Sequence, residues 1–385
     1  MGRNERAERS MKVLLVGNYE FDGSKSMQIW AETLHRELLA RGIDAELISP
    51  KPLLGKLRPS AAGVGKWFGY VDRFVLFPHH LKAAATQADI VHICDHGSAM
   101  FALKLKDKKV VVTCHDMLAV RGAMGEISEM RPSAFGRLLQ QWICRGLRRA
   151  TQVACVSQYT LDDATRILRD NGNLCKVLNG LNYPFKRIEP AEIEQRMAAF
   201  PEIRAPFIVH VGSNHARKNR DGVLRIFARA LRRYADLQLV FAGAALTDQL
   251  RALARELGVE KKIVELVNPK VETIEALYNR AVALVFPSRY EGFGWPPIEA
   301  QACGCPVVAS EIPPLVETVG KSGLLFPLED EVAMADSIVR LAGDNQYAEQ
   351  IRKRGLEMVH LRFQTSRMMD DYLALYQRLL PQNAL

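Results

Sequence analysis

Short apolar runs alternate with helix-like patterns along nearly the whole chain, and this alternation limits the fold more than any other feature. Runs such as residues 109–115 and 281–287 are almost continuously apolar, as is typical of parallel strands buried on both faces. Helical spacing recurs between such runs, for example in residues 27–40. The apolar side of that helix is predicted to consist of Ile29, Leu34, Leu38 and Leu39. Strands that alternate with helices form βαβ units, so the sequence predicts an α/β protein with parallel sheets.

The predicted strands fall into two sets, which indicates two doubly wound domains. The first set comprises residues 12–17, 44–49, 89–94, 109–115, 151–157 and 175–179, and the second comprises residues 207–212, 237–243, 262–267, 281–287 and 306–310. A chain of 385 residues also exceeds a typical single core. Four prolines mark residues 182–206 as a linker. We therefore expect one domain over residues 1–185 and another over 186–362, with a final helix in 363–385 that packs back on the first.

Composition and charge exclude several classes of protein. The longest apolar runs have the length of strands, far short of a membrane span, and the charged first ten residues lack the apolar core of a signal peptide. The seven cysteines form no Cys-x-x-Cys pair and favour reduced thiols in a cytoplasmic protein. Nearly all of the net charge of +9 lies in residues 1–185, which hold 26 Lys and Arg against 18 Asp and Glu. This field favours an anionic partner: nucleic acid, an anionic membrane surface or a phosphorylated substrate.

Residues 288–310 contain the densest group of candidate site residues. Glu291 and Glu299 stand eight positions apart, and Gly292 and Gly294 lie between them in a segment that follows a predicted strand. This order indicates a strand, a glycine loop and a helix that begins at two prolines. Free N–H groups at a helix start bind phosphate, whereas carboxylates repel phosphate and are better suited to accept hydrogen bonds from sugar hydroxyls. A phosphate-bearing sugar is therefore the first ligand to consider.

A second candidate segment follows the predicted strand at residues 207–212. It reads Ser213-Asn-His-Ala-Arg-Lys-Asn219 and leads into the next helix. Ligands of open α/β sheets bind beyond the carboxyl ends of the strands, so Arg217 and Lys218 are placed to neutralise a diphosphate. The alternative is a solvated pair of loop charges, which is the commoner fate of an Arg-Lys dipeptide.

Three segments of the first domain also follow strands. His115 would contact a sugar hydroxyl or a reacting group, or would be a satisfied, partly buried histidine beside an Asp116 that caps the next turn. Gly23 and Ser24 lie in a loop that lacks the Gly-x-Gly-x-x-Gly dinucleotide fingerprint and is equally well explained as a simple turn. Residues 95–97, Asp-His-Gly, are best explained by an aspartate that caps a helix.

Residues 51–82 combine six basic residues with five aromatic residues and contain one acid, Asp72. This mixture suits a surface that contacts anionic lipid headgroups. The basic residues expected to make that contact are Lys56, Arg58 and Lys66. The alternative is a helix whose aromatic side chains are core, and we favour this interpretation for Phe74 and Phe77.

Several of these motifs occur together in one known family. The motifs are Glu291 followed by Gly-Phe-Gly and Glu299, then Ala300-x-Ala302-x-Gly304-x-Pro306, Arg217-Lys218-Asn219, Val156-Ser-Gln-Tyr-Thr160 and Asn179-Gly-Leu181. With them the chain resembles the retaining glycosyltransferases of family 4, densely in its second half and more loosely in its first. The resemblance implies the GT-B fold, in which two Rossmann-like domains with parallel sheets face each other across a cleft.

The resemblance also implies roles for the candidate residues. Lys218, helped by Arg217, would bind the diphosphate of a nucleotide-sugar, Glu299 would bind its ribose, and Glu291 would hold the transferred sugar. The remaining donor contacts would come from Ser213, Asn214, Gly292, Phe293 and Gly294. The residues expected to be catalytic are Glu291, His115 and Lys218. The acceptor would lie among His115, Asp116, Gly23 and Ser24.

The implied reaction is transfer of a hexose from a UDP- or GDP-sugar to a glycan or lipid-linked acceptor, with retention and without metal or another cofactor. The basic first domain suits bacterial surface polysaccharide or glycolipid synthesis, in the cytoplasm or peripherally on the inner face of its membrane. Many family members have an arginine in place of Ser213 and a second glycine beside Gly23. One alternative is a nucleotide-sugar epimerase of the same fold, although the Glu291…Glu299 signature argues against it. Another is a nucleic-acid-binding protein, but no helix-turn-helix, RNA-binding aromatic motif or zinc spacing occurs, so no nucleic acid partner is expected.

Overall fold

The structure is a computed structural model that describes residues 11–22, 25–57, 63–169 and 172–380 and, for residues 63–66, the backbone alone. Its contacts divide the chain into two compact units. The first unit runs to Asn182 and also takes in the last helix, whereas the second unit spans Tyr183–Gln364. These divisions lie within a few residues of the boundaries expected from the sequence.

The first unit is built on one sheet of six strands. Its strands are β1 (Lys12–Val16), β2 (Asp44–Ile48), β3 (Ile90–Ile93), β4 (Lys109–Cys114), β5 (Gln152–Cys155) and β6 (Leu174–Lys176). Its α-helices before the second unit are α1 (Lys25–Ala40), α2 (Gly63–Val71), α3 (Phe77–Ala85), α4 (Leu118–Met124), α5 (Ala134–Arg149) and α6 (Gln158–Leu168). A π-helix, Asp72–Leu76, joins α2 to α3, and a 3-10 helix, His96–Lys104, follows β3. The strand order is β2-β1-β3-β4-β5-β6, and every pairing is parallel.

The second unit is built on a second sheet of six strands. Its strands are β7 (Phe207–Gly212), β8 (Gln238–Gly243), β9 (Ile263–Val267), β10 (Ala283–Phe286), β11 (Val307–Ser310) and β12 (Leu324–Phe326). Its helices are α7 (Pro190–Met197), α8 (Arg220–Leu231), α9 (Asp248–Glu256), α10 (Val271–Arg280), α11 (Trp295–Ala302), α12 (Pro313–Thr318), α13 (Glu331–Gly343) and α14 (Asn345–Arg362). The strand order is β12-β11-β10-β7-β8-β9, again wholly parallel. The chain then returns to the first unit as α15 (Thr365–Leu379).

Both sheets have a point where the strand order reverses, and this point sets where a ligand has room to bind. In the second unit the reversal lies between β7 and β10, in the order of a dinucleotide-binding sheet. In the first unit it lies between β1 and β3. The loops that leave adjacent strands at such a point run to opposite faces of the sheet and leave a crevice at the carboxyl ends. The predicted doubly wound α/β architecture is confirmed in both units.

The sequence missed one strand and misjudged one helix face. The short strand β12 pairs with β11 but is only half-buried, so it lacks the strong apolar signal of its neighbours. In α1, Leu34 and Leu38 are buried as predicted, whereas Ile29 and Leu39, predicted for the same apolar side, are exposed. The buried stripe instead includes Trp30, whose indole N–H donates to Asn179 Oδ1 at 3.0 Å.

A buried polar chain ties α15 to the first sheet. His92 on β3 bonds through Nδ1 to Tyr376 Oη at 2.5 Å and through Nε2 to Thr113 Oγ1 at 2.8 Å. The hydroxyl of Tyr372 lies 2.8 Å from the same threonine oxygen. Burial lowers the pKa of His92 to about 3, so the imidazole is neutral and serves as a packing and hydrogen-bonding group. The final helix therefore packs on the unit from which it is most distant in sequence.

All seven cysteines lie in the described ranges; all are free, and all but the half-buried Cys175 are buried. Within the same ranges, no helix combines the length and the apolar character needed to cross a membrane.

Gly146 provides a test of the first unit's packing. A Cβ at this position of α5 would meet the carbonyl group of Ala99 and lie 2.6 Å from Met100 N, so the helix and the 3-10 helix touch backbone to backbone. We expect Gly146→Ala to lower the free energy of unfolding by about 2 kcal/mol or more, because rigid backbone has no room for a methyl group. Gly343→Ala is the matched control, since no atom lies within 4 Å of its Cβ position, and it should be neutral or stabilising. Equal unfolding midpoints for the two variants in urea titrations would contradict this packing.

Candidate functional site

A buried cluster of three charges lies at the switch point of the second sheet. Glu291 Oε1 accepts a hydrogen bond from Lys218 Nζ at 2.6 Å, and Oε2 accepts one from Arg217 Nη1 at 2.7 Å. Glu291 and Lys218 are both buried, whereas Arg217 is half-exposed. The structure thus brings together three residues that the sequence singled out from two separate segments. With two cations and one carboxylate, the cluster has a net charge of +1.

Two loops hold this cluster in place, one after β7 and one after β10. Lys218 ends a 3-10 turn, and Asn219 follows it in the left-handed conformation with φ of 51°. The Asn219 side chain donates to Pro287 O at 3.0 Å, and the Arg289 amide donates to Arg217 O at 2.7 Å. The two loops are therefore bonded to each other.

Electrostatics keep Glu291 ionised despite its burial. Burial by itself would raise the pKa of Glu291, but the positive charges of Lys218 and Arg217 outweigh it and hold the pKa below its usual value. Burial also lowers the pKa of Lys218, and Glu291 opposes that effect. The Lys218 ammonium lies 4.6 Å from the centroid of the Phe286 ring, which supplies a further favourable contact. A second anion near this cluster would meet cations that are already desolvated.

Glu299 occupies a different environment, one turn inside α11. Gly294 precedes that helix with φ of 97°, and a Cβ there would lie 2.7 Å from Leu315 Cδ2, so the position requires glycine. Tyr278 Oη donates to Glu299 Oε2 at 3.3 Å. Burial raises the pKa of Glu299 to about 7, although the Tyr278 bond and the charge of Lys218 act in the opposite direction. The two glutamates of the signature therefore differ in charge state near neutral pH.

The other predicted donor residues lie around these glutamates. Ser213 is half-buried after β7, and Asn214 is exposed and donates to Ala245 O at 2.7 Å. Gly292 is buried in the loop between the glutamates. Phe293 is also buried, and its ring packs edge-on against Trp295. Because this ring belongs to the core, only the backbone of Phe293 is suited to contact a ligand.

Sequence reasoning missed two residues that support the site. Arg220, at the start of α8, is buried; it donates to Ala244 O at 2.9 Å and lies 4.6 Å from the centroid of the Phe241 ring. Burial lowers its pKa to about 10. The sequence signal for Arg220 was its position directly after Arg-Lys-Asn, but a charged residue at the start of a helix is usually solvated. Tyr278 had no local signal, because its contact with Glu299 depends on how α10 packs on α11.

His115 and Asp116 follow β4 in the first unit. His115 is buried, its Nε2 lies 2.9 Å from Cys94 O, and its ring lies 5.1 Å from that of Trp30. Burial lowers the pKa of His115, which favours the neutral imidazole at neutral pH. Asp116 Oδ1 accepts from the Leu118 amide at 2.9 Å and so caps the start of α4, as in the structural alternative stated above.

A second polar group joins the loops after β1 and β3. Asp95 caps the 3-10 helix by accepting from the Gly97 amide at 2.9 Å, as the sequence indicated, and it accepts from Asn18 Nδ2 at 2.5 Å. His96 Nδ1 lies 3.2 Å from Asp95. These residues lie at the carboxyl edge of the first sheet, where a ligand of this unit is expected. Gly23 and Ser24 lie outside the described residues, and their acceptor role stays a prediction.

In the part of the chain that the structure describes, no group of three or more His, Cys, Asp or Glu residues is arranged to hold a metal ion.

Models of known protein families match both halves of the chain. A model for "Glycosyltransferase Family 4" matches residues 27–183, and one for "Glycosyl transferases group 1" matches residues 205–344. The protein is therefore a glycosyltransferase. It belongs to family 4, as the sequence motifs had suggested.

Two curated relatives and two solved structures show which proteins the chain resembles. The O-antigen chain mannosyltransferase B of Escherichia coli is 26% identical over 296 residues, which cover 72% of each chain. The D-inositol 3-phosphate glycosyltransferase of Acidothermus cellulolyticus is 29% identical over 187 residues, but the match spans only 41% of that protein and 46% of this one.

Among solved structures, sucrose-phosphate synthase of Thermosynechococcus elongatus has a TM-score of 0.76 at 21% identity, over 96% of this chain and 99% of that one. The Anabaena protein HepE, solved in complex with UDP and glucose, has a TM-score of 0.74 at 17% identity, over 96% and 100%. At these identities the structural likeness shows the fold, which is GT-B.

The pKa of Glu299 predicts a pH-dependent stability. The folded protein retains the carboxyl proton up to about pH 7, whereas the ordinary carboxyl value is 4.5. The stability associated with this proton is therefore fully present below about pH 4.5 and is lost as the pH rises through about 7. Glu299→Gln cannot ionise, so relative to wild type it should gain up to about 3 kcal/mol between about pH 4.5 and pH 8.

Thermal unfolding across this pH range, without ligand, measures the gain. Glu357→Gln, at an exposed position of α14, is the matched control and should follow the wild-type profile. A stability difference between Glu299→Gln and wild type that stays constant with pH would contradict the assignment.

Proposed function

We propose that the protein transfers a hexose from a UDP- or GDP-sugar to a glycan or lipid-linked acceptor, with retention of the anomeric configuration and without a metal ion. The observation that carries the proposal is the buried cluster of Glu291, Lys218 and Arg217 at the switch point of the second sheet. Membership of family 4 supports the reaction class.

In this proposal, Lys218 and Arg217 bind the donor diphosphate. Both cations lie on the loop after β7, beside the start of α8, so charge and free N–H groups converge on one position. Cations that are held in a desolvated site stabilise the charge of a leaving diphosphate more strongly than they would in water. This arrangement supplies the neutralisation for which other transferases use a divalent metal. Ser213 and Asn214 complete the phosphate side of the site.

The two glutamates bind hydroxyl groups of two different parts of the same donor, the hexose and the ribose. Glu291 is ionised and lies next to the cations, so it is suited to orient the hexose once Lys218 and Arg217 turn to the diphosphate. Glu299 lies one turn along α11, and we assign it the ribose. Backbone groups of Gly292, Phe293 and Gly294 border the hexose.

Retention follows if the acceptor attacks from the face that the diphosphate leaves. The bond between the anomeric carbon and the diphosphate oxygen breaks, the acceptor oxygen bonds to that carbon on the same face, and the acceptor proton passes to the leaving phosphate. Lys218 stabilises the charge that develops on the diphosphate. His115 and Asp116, with Gly23 and Ser24, are proposed for the acceptor side.

The names of the relatives support the kinds of substrate. The Escherichia coli relative is a mannosyltransferase of the O-antigen chain, which favours a hexose donor and bacterial surface polysaccharide synthesis. The complex of HepE contains UDP and glucose, which favours a nucleotide-sugar donor for this fold.

Substitutions in the charge cluster test the proposed site. We expect Lys218→Ala and Glu291→Gln to lower hexose transfer by about 100-fold or more, because each removes charge stabilisation from the reacting centre. Transfer is measured as nucleoside diphosphate released and as glycosylated product. Glu331→Gln is the matched control, since it breaks the ion pair with Arg225 Nε at 2.6 Å in the same unit, and it should retain transfer. Near-normal transfer by either site variant would refute the site.

The same assay distinguishes the epimerase alternative. Wild-type protein is incubated with UDP- and GDP-hexoses without acceptor, and the sugar-nucleotide is analysed for epimerised hexose. We expect no epimerised product. Its formation would favour the epimerase instead.

A further inference from the structure

Five aromatic side chains form a contiguous patch on the first unit, outside the site. They are Trp67 and Tyr70 on α2, Phe74 on the π-helix, and Phe135 and Trp142 on α5. The ring centroid of Phe135 lies 5.5 Å from that of Trp67 and 5.3 Å from that of Tyr70, and the ring centroids of Phe74 and Trp142 are 6.4 Å apart. We call these five residues the aromatic patch. Two segments more than 60 positions apart in the sequence thus form one surface.

Three of the five rings are exposed to solvent, whereas Tyr70 is half-buried and Phe74 is half-buried against the core, as expected for Phe74 from the sequence. Trp67 is 59% exposed and Trp142 is 44% exposed, and Leu138 beside it on α5 is 52% exposed. Single exposed apolar residues are common on any protein, whereas a joined group with two tryptophans marks an interaction surface. Tryptophan and tyrosine are also the side chains that favour the boundary between water and lipid.

Positive charge accompanies the patch. Helix α5 carries four arginines and no acidic residue. Arg148 and Arg149 bond to the backbone carbonyls of Leu168 and Lys106. Arg137 and Arg145 are exposed on the same helix as Phe135 and Trp142. Arg145 follows Trp142 by three positions and so lies on the same side of the helix, which places a cation beside one ring of the patch.

The one acid of residues 51–82 does not oppose this charge at the surface. Asp72 is buried, and its carboxylate accepts from the amides of Leu54 at 3.0 Å and Gly55 at 2.9 Å and from Tyr19 Oη at 3.0 Å. Burial and the bond to Asp72 raise the pKa of Tyr19 to about 12. The acid thus anchors the π-helix that carries Phe74 and fixes the patch on the unit.

The geometry points to a membrane surface as the partner: we propose that the aromatic patch, with Arg145, docks the first unit on anionic lipid headgroups. The rings enter the interface and the arginine binds the headgroup charge. This deepens the proposed function, on which the choice of a lipid-linked acceptor rests. The proposed lipid contact differs from the one predicted from the sequence, because α5 was not part of that prediction. Lys56 is exposed, but the side chains of Arg58 and Lys66 lie outside the described residues.

Vesicle sedimentation of the full-length protein tests the proposal. Vesicles contain phosphatidylcholine alone, or phosphatidylcholine with phosphatidylglycerol. Wild type should bind the anionic vesicles more tightly, and Arg145→Gln should weaken that binding about fivefold. Trp67→Ala with Trp142→Ala should weaken it at least as much. Wild-type binding that is equal on both vesicle types, or absent, would overturn the proposal.

Matched controls come from the second unit. Leu361→Glu changes an apolar residue that is 68% exposed, and Lys353→Gln with Arg354→Gln removes two exposed charges from α14. Both should bind anionic vesicles as wild type does; a loss as large as that of the patch variants would contradict the assignment to the patch. So would a concentration-dependent dimer, seen by ultracentrifugation, that Leu138→Glu abolishes, because the patch would then join two copies.

A donor thermal-shift assay separates this inference from the proposed function. Every variant should show the wild-type melting temperature and the wild-type shift with UDP- or GDP-hexose, which verifies its fold and its donor site. Vesicle binding that depends on the patch, without any shift in melting temperature with the donor, would contradict the proposed function alone. A normal donor shift, together with vesicle binding that is unchanged in the patch variants, would contradict the proposed lipid surface alone.

Discussion

The candidate donor site depends on one buried carboxylate that is shared by two cations. Removing charges from water is costly, and Glu291 is tolerated inside the second unit because buried Lys218 and half-exposed Arg217 lie within 2.7 Å of it. Such a cluster is weak evidence for stability, since well-packed apolar residues would serve as well. Its excess positive charge is more simply understood as preparation for an anionic ligand. The proposed reaction follows from that single feature.

The sheet topology explains why the cluster forms where it does. Lys218 leaves β7 and Glu291 leaves β10, the two strands that flank the reversal of order. Their loops are bonded through Asn219 and Arg289, so the cations and the carboxylate are positioned before any ligand arrives. Preorganised charge of this kind avoids the reorganisation that water would require during transfer. Glu299 lies on α11, the helix that follows the same loop, so the site extends from the charge cluster to that helix.

Much of this was accessible from the sequence, because buried parallel strands and strand-end motifs leave strong local patterns. Eleven of the strands, the two-unit division and the segments around Lys218 and Glu291 were all visible in that way. What remained hidden depends on packing between distant elements. Tyr278 meets Glu299 only when α10 lies beside α11, and Phe135 meets Trp67 only when α5 lies beside α2. Part of the buried side of α1 was misjudged because spacing alone did not show the burial of Trp30.

A crystal structure of the protein with a UDP- or GDP-hexose bound would test the donor site most directly. We expect diphosphate oxygens within hydrogen-bonding distance of Lys218 Nζ and of the Arg217 guanidinium, with the Glu291 carboxylate turned to the hexose and Glu299 at the ribose. A nucleotide-sugar bound elsewhere, with the Glu291–Lys218 bond of 2.6 Å unchanged, would contradict it.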